Sequence, residues 1–172
     1  MMIRHGEKPP DFGNGVDEQG NVDDYSLAVR GWTRAGAIIS FFSHDHDKIV
    51  RPEMIYAAKP NAKPPSPHGR RPSQTVTPLA QSQNIPFNFD IEVGKEPDLV
   101  TAVRSETRTT LISWEHKAIK GIVDKLLITG FATDFPERFD VVWIFEKAGA
   151  TYAFTEVSQS LLVNDAGIAS YG

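Results

Sequence analysis

The sequence contains no cysteine. Disulfide bonds and thiolate metal sites are therefore excluded, as are phosphatases and proteases that use a cysteine nucleophile. The sequence also lacks any apolar run close to the roughly 20 residues that cross a bilayer. Charged residues follow after only three apolar ones, so we expect no signal peptide, and the cytoplasm is the expected location.

An excess of positive charge is also missing. The 18 Lys and Arg residues are outnumbered by 22 Asp and Glu residues, which gives a net charge of -4 at pH 7. We therefore expect neither a general nucleic-acid-binding surface nor a membrane partner, although a local basic pocket remains possible. No internal repeat is visible, and 172 residues suit one core, so residues 1–172 are predicted to form a single domain.

Short apolar runs predict buried strands, and longer periodic segments predict helices. Apolar residues recur at spacings of three and four from Leu27, which predicts a helix with Ser26 as its N-cap. The other predicted strands and helices follow along the chain: strands over Met1–Ile3, Glu53–Ala58, 109–113, 139–147 and 151–157, and helices after Arg71, over Asp98–Val103 and over 118–127. Polar, Pro- and Gly-rich segments at Lys8–Asp24 and 59–70 predict long loops.

Strands that alternate with helices predict an α/β fold, a three-layer α/β/α sandwich with a mostly parallel central sheet. In such sheets ligands bind beyond the carboxyl ends of the strands. Two histidines follow predicted strands at that edge, His5 and His116. Arg4 adjoins the first, and both Arg70 and Arg71 precede a predicted helix N-terminus. Because arginine pairs well with phosphate and neutral imidazole can attack phosphorus, the pattern predicts a phosphoryl site.

Four ordered motifs resemble the histidine phosphatase superfamily, which includes the cofactor-dependent phosphoglycerate mutases. The motifs are IRHGE, LAVRGWTRAGAI, RPSQTVTPLA and TLISWEHKAI, and the late segment RFDVVWIFEK also fits. The resemblance implies a phosphoglycerate mutase-like fold over the single histidine phosphatase-like domain. The chain is compact and looks more like the small phosphatases of the superfamily than like the mutases, so we expect hydrolysis.

The resemblance also implies roles for individual residues. His5 would be the nucleophile and form a phosphohistidine, while Arg4, Arg71 and His116 would hold the phosphoryl group until water releases phosphate. The expected activity is a metal-independent hydrolysis of a phosphomonoester or a phosphohistidine, with no cofactor. The expected partner is a small-molecule or protein phosphoryl substrate, and the oligomeric state is left open.

No motif marks the acid that protonates the leaving group. The family often takes it from a carboxylate between the second and last motifs, and the candidates are Asp90, Glu92, Glu96 and Asp98. We rank Glu92 and Glu96 ahead of the other two. Glu7 and Glu115, which adjoin the histidines, are rivals.

Two alternative functions remain open. One is a catalytically impaired phosphate-binding or scaffold protein of the same fold. The other is a metal-dependent hydrolase that uses the segment His44–Asp47, whose His-Asp-His-Asp order resembles metal-ligand spacing. Binuclear hydrolases continue such a segment with Asp-His, whereas Lys48 and Ile49 stand here, so a solvated turn is favoured. Arg34 matches the family's first-helix pattern but is predicted to lie on a solvated helix face.

Overall fold

The computed structural model describes residues 1–60, 69–127, 130–131, 133–149 and 151–165. Six strands and four helices alternate over most of this part of the chain. The strands are β1 (Met2–Arg4), β2 (Met54–Ala57), β3 (Phe87–Asn88), β4 (Thr110–Trp114), β5 (Val141–Ala148) and β6 (Thr151–Ser158), and the helices are α1 (Val29–Phe41), α2 (Arg70–Gln83), α3 (Glu96–Ser105) and α4 (His116–Leu127). Among the described helices, none has the length and apolar character to span a membrane.

The strands form one sheet in the order β3-β2-β4-β1-β5-β6. The first four are mutually parallel, whereas β5 runs antiparallel to β1, and β6 runs antiparallel to β5. Strand β1 has partners on both sides: Arg4 lies opposite Trp114 of β4, and Ile3 lies opposite Val142 of β5. The predicted mostly parallel sheet is confirmed, and the strand that leads to His5 lies inside it.

Alternate residues of each central strand face opposite sides of the sheet, and both sides are buried. In β1, Met2 packs with residues of α3 and α4, whereas Ile3 packs with residues of α1 and α2. The two resulting apolar clusters are separated by the sheet itself. The predicted three-layer α/β/α sandwich is therefore confirmed.

Several details of the helices differ from the sequence prediction. Helix α1 begins at Val29, and no side chain caps it; Ser26 instead donates from Oγ to Asp23 Oδ2 at 2.6 Å, so the predicted Ser26 cap is wrong. Helix α2 continues through Pro78 to Gln83. Since Val76 and Leu79 are fully buried on α2, tertiary packing outweighs the one backbone hydrogen bond that proline removes.

Helix α1 approaches the chain that leaves β1 very closely. The Ala28 backbone N–H donates to the Glu7 carbonyl at 2.9 Å. A Cβ atom added to Gly31 would lie 2.4 Å from the same Glu7 oxygen, and one added to Gly6 would lie 3.0 Å from the Gly31 oxygen. Two glycines thus allow two backbones to touch directly after His5, which fixes the segment that carries that histidine.

Candidate active site

His5 lies immediately beyond the carboxyl end of β1 and is 6% exposed. Its backbone N–H donates to the Trp114 carbonyl at 3.2 Å and so continues the pairing with β4. The next N–H, that of Gly6, donates to Thr75 Oγ1 of α2 at 2.8 Å. Hydrogen bonds to two neighbouring elements therefore hold the backbone on both sides of the imidazole ring.

The His5 ring has one defined tautomer. Nδ1 lies 2.8 Å from the Gly6 carbonyl oxygen, and because a carbonyl only accepts, Nδ1 carries the proton and Nε2 keeps its lone pair. Burial is the main cause that lowers the pKa of His5 to about 3. The positive charges of Arg4, Arg71 and Lys8 act in the same direction, and the Gly6 hydrogen bond acts against them. The imidazole is therefore neutral near pH 7, with Nε2 available as a nucleophile.

Arg4 lies one residue before His5 and is also buried. Its Nη1 atom donates to Glu137 Oε2 at 3.1 Å, and its guanidinium carbon lies 4.0 Å from the centroid of the Phe139 ring. Burial lowers the pKa of Arg4, while Glu137 acts in the opposite direction. Arg4 Nε is buried without a hydrogen-bond partner among the described residues.

Arg71 and Arg70 both lie in the first turn of α2 but face different partners. Arg71 donates from Nε to the Ser26 carbonyl at 3.2 Å and from Nη2 to the Asp24 carbonyl at 2.6 Å. Arg70 binds the carboxylates of Glu18 and Asp23 at 3.0 and 2.9 Å. The charge of Arg71 contributes to the lowered pKa of His5, which favours Arg71 over Arg70 as the arginine of the site.

His116 is the first residue of α4 and follows β4, the neighbour of β1. Its Nε2 atom lies 2.7 Å from the Phe135 carbonyl oxygen, and because a carbonyl only accepts, Nε2 carries a proton. Nδ1 points toward Glu137, 3.5 Å from Oε1. The structure thus brings His116 and Arg4 to the same carboxylate, at the edge of the sheet where His5 lies.

Glu137 and Phe139 were missed in the sequence analysis. They lie between α4 and β5, in a segment that matches none of the four motifs. Phe139 packs near the ring of His5, with centroids 6.1 Å apart, and Phe12 packs edge-on against it at 5.6 Å. Phe139 belongs to the late segment RFDVVWIFEK that fits the resemblance, but nothing in the sequence marks Phe139 or Glu137 as part of this site.

The candidate acids occupy different surroundings. Glu92 is half-buried, and its backbone forms an isolated parallel β-bridge with that of Lys59, beyond the carboxyl end of β2. Glu96 Oε1 accepts hydrogen bonds from the Gly94 N–H at 2.9 Å and the Trp114 indole at 3.1 Å. Burial alone would raise the pKa of Glu96, but these hydrogen bonds outweigh it and lower the pKa. The lowered pKa makes Glu96 a poor proton donor near neutral pH.

The rival Glu7 belongs to a buried ion network. Arg34 Nη2 lies 2.7 Å from both Glu7 Oε1 and Asp165 Oδ1, and Arg30 Nε lies 3.1 Å from Glu7 Oε1. Arg34 is only 2% exposed, so its predicted place on a solvated helix face is wrong. Burial acts to lower the pKa of Arg34, but the carboxylates of Glu7 and Asp165 outweigh this effect and raise the pKa. The physical reason for the error is that one partner lies 131 positions away in the chain, beyond the reach of a helix pattern.

The segment His44–Asp47 lies at the far end of α1, whose 13 residues extend about 20 Å from the end that touches Glu7. His46 Nε2 lies 2.8 Å from the Phe41 carbonyl oxygen, and Asp45 Oδ1 accepts the Arg51 N–H at 2.7 Å. Within the part of the chain that the structure describes, no three His, Asp or Glu residues are grouped so as to hold a metal ion. The structure therefore lends the metal-dependent alternative no support.

The sheet order, the two flanking helix layers and the edge that carries His5 define a phosphoglycerate mutase-like fold. Several solved structures share it, including the following two. A mycobacterial glucosyl-3-phosphoglycerate phosphatase in complex with VO3 has a TM-score of 0.55 and 12% identity, over 90% of this chain and 95% of its own. The phosphoserine phosphatase of Entamoeba histolytica in complex with 3-phosphoglyceric acid has a TM-score of 0.54 and 14% identity, over 94% and 98%.

These likenesses confirm the phosphoglycerate mutase-like fold that the four motifs implied. No protein-family profile matches the chain, and no curated protein matches it in sequence. Both similar structures are named as phosphatases. The residue roles are predictions that rest on the motifs and on the geometry of the site.

Proposed function

We propose that the chain is a metal-independent phosphatase that passes a phosphoryl group through His5. The observation that carries the proposal is the state of His5: a buried, neutral imidazole whose Nδ1 proton is held by the Gly6 carbonyl, beside Arg4 and Arg71. The phosphatases among structures of the same fold support a hydrolase of phosphate compounds. The substrate is a phosphomonoester or a phosphohistidine, carried by a small molecule or a protein.

In the first step, the lone pair of His5 Nε2 attacks phosphorus, and the bond from phosphorus to the leaving group breaks. The leaving group departs with the bonding electrons and takes a proton, for which Glu92 is the preferred source and Glu96 the second. Where the leaving group is already a weak base, little acid assistance is needed. The product of this step is a phosphohistidine on His5.

In the second step, water attacks the phosphohistidine and the phosphorus–nitrogen bond breaks. Its electrons return to Nε2, and orthophosphate is released. The proton lost by water goes to the carboxylate that gave up a proton in the first step, so both the acid and His5 regain their starting forms.

The remaining residues stabilise charge on the phosphoryl oxygens. Arg4 and Arg71 supply permanent positive charge and planar N–H donors. His116 donates from Nε2 to the Phe135 carbonyl, and in its doubly protonated form it also donates from Nδ1 to a phosphoryl oxygen. We expect loss of the His116 imidazole to lower kcat by about a hundredfold or more, as for other preorganised donors to a transition state.

The test is turnover of an aryl phosphate in the presence of a chelator, with His5→Ala as the variant. His44→Ala, an exposed histidine beyond α1, is the matched control. We expect full activity in the control and none in His5→Ala, together with a phosphohistidine in the wild-type chain by mass spectrometry. Activity that survives in His5→Ala would contradict the mechanism.

The same experiment separates the two alternatives. Activity that a chelator removes and zinc or manganese restores would favour the metal-dependent hydrolase. Vanadate binding without turnover and without a phosphoenzyme would favour the phosphate-binding or scaffold protein. The lowered pKa of Glu96, one of the two preferred acids, is the observation that keeps this second candidate open.

A further inference from the structure

Glu137 places a carboxylate between two of the groups proposed to hold the phosphoryl group. Its oxygens divide between them: Oε2 lies 3.1 Å from Arg4 Nη1, and Oε1 lies 3.5 Å from His116 Nδ1. The Glu137 side chain is 79% exposed, whereas the side chains of Arg4 and His116 are 7% and 18% exposed. An exposed side chain thus reaches inward to two largely buried nitrogen groups.

These contacts are the ones that a phosphoryl group would make. Carboxylate and phosphate oxygens bind guanidinium groups in the same planar, charge-assisted geometry. The Nε atom of Arg4, on the same guanidinium, is buried without a hydrogen-bond partner among the described residues. Arg4 therefore has a buried donor that Glu137 does not satisfy.

We propose that Glu137 is a displaceable internal anion that occupies part of the phosphoryl-binding position and must leave Arg4 and His116 when a phosphorylated substrate binds. The proposal rests on the proposed function, because it takes Arg4 and His116 as the groups that hold the substrate. A phosphoryl oxygen cannot take the position between Arg4 Nη1 and His116 Nδ1 while the Glu137 carboxylate fills it, and two anions in contact there would repel each other.

Displacement is feasible because of where Glu137 lies. Its carboxylate is already in contact with solvent, so leaving Arg4 requires only rotation of an exposed side chain. Asp11 and Glu7 also act on Arg4 by charge, but neither donates or accepts a hydrogen bond with it among the described residues. Glu137 is therefore the carboxylate that competes directly with the substrate, and after hydrolysis it can return and favour release of orthophosphate.

The experiment compares vanadate affinity and inhibition by orthophosphate in wild type, in Glu137→Gln and in Glu146→Gln. The last variant removes one charge from an exposed glutamate of β5 and is the matched control. Because exposed ion pairs are weak, we expect Glu137→Gln to bind vanadate about fivefold more tightly and orthophosphate to inhibit it more strongly by the same factor. Glu146→Gln should match wild type.

A structure of the wild-type protein with vanadate provides the second measurement, which needs no variant to fold. We expect vanadate on Arg4 and the Glu137 carboxylate more than 4 Å from Nη1, by the usual limit for an ion pair. Equal vanadate affinity in wild type and Glu137→Gln, or vanadate bound with the Arg4–Glu137 contact intact, would overturn this proposal alone. No vanadate binding by wild type would overturn it together with the proposed function.

Discussion

Burial of the His5 imidazole links its charge to the stability of the fold. An unfolded histidine titrates near pH 6.5, whereas burial lowers the pKa of His5 in the native protein to about 3. Between these values the unfolded chain binds a proton that the native chain does not bind. Above about pH 6.5 the imidazole is neutral in both states, so it does not make the free energy of unfolding depend on pH. As the pH drops from about 6.5 toward 3, protonation of the unfolded chain lowers the free energy of unfolding.

The predicted consequence is a smaller loss of stability in acid for a variant without this imidazole. In His5→Asn, the free energy of unfolding should fall less between pH 6.5 and pH 4 than in wild type, by up to about 1.4 kcal/mol per pH unit. Urea unfolding at several pH values measures this, and titrations common to both chains cancel in the difference. A difference that does not vary with pH would contradict the assigned pKa direction.

Arg34 and Arg30 share two carboxylate partners, Glu7 and Asp165, but differ in burial. Arg34→Met leaves those carboxylates buried without their main cation, and we expect it to lower the free energy of unfolding by about 3–5 kcal/mol. Arg30→Met removes a half-exposed cation and should cost less than about 1 kcal/mol. Urea denaturation of both variants checks the prediction; equal losses would show that burial does not govern this network.

Residues adjacent to a motif could be located from the sequence, and residues defined only by distant contacts could not. Arg4, His5 and His116 follow apolar runs, so strand prediction alone placed them at one edge. Glu137 lies in a segment with no periodicity, and its role depends on contact with an arginine 133 positions earlier. A helical pattern likewise could not show that Arg34 faces two buried carboxylates.

At the level of secondary-structure elements, the packing of α1 against the segment after β1 depends on Gly31. Only glycine fits at this position without a clash, since a Cβ there would lie 2.4 Å from the Glu7 carbonyl oxygen. Gly36 lies in the same helix, and a Cβ added to it would meet nothing within 4 Å. The two glycines form a matched pair for mutation.

We expect Gly31→Ala to lower the free energy of unfolding by about 1–3 kcal/mol, as overpacking does elsewhere. It should also reduce phosphatase activity, because the displaced backbone directly follows His5. Gly36→Ala should instead raise the free energy of unfolding by up to about 1 kcal/mol, through helix propensity. Thermal unfolding and aryl phosphate turnover measure both effects; a stable, fully active Gly31→Ala chain would show that α1 can shift without cost.

Strong local sequence patterns predicted which strands and helices are present, whereas weak patterns did not predict where these elements end. The β-branched residues of β4 and the apolar runs of β5 and β6 predicted those strands closely. Strand β3 was missed because Phe87–Asn88 is only two residues long and shows no alternation. Helix α3 extends beyond the predicted Asp98–Val103 to Glu96–Ser105, since Leu99 and Val100 pack onto the sheet and support turns that local propensity alone did not indicate.

For the molecule as a whole, the sheet with a buried layer on each face predicts that residues 1–172 unfold as one unit. Trp114 and Trp143 are fully buried in the layer under α3 and α4. In a Trp32→Phe background their fluorescence reports that layer, whereas far-ultraviolet circular dichroism reports every element. We expect the two urea transitions to coincide. Separate midpoints would indicate two independently folding parts and contradict the single-domain prediction.

The interior position of β1 has a consequence for the newly made chain. The strand that carries the proposed nucleophile is synthesised before its sheet neighbours β4 and β5, which lie more than 100 residues later in the chain. Until those strands emerge, Met2 and Ile3 have no sheet to join, and the imidazole that follows them is neither buried nor oriented. The proposed activity should therefore arise only after β5 has left the ribosome, so that a shorter nascent chain cannot act on phosphorylated molecules around it.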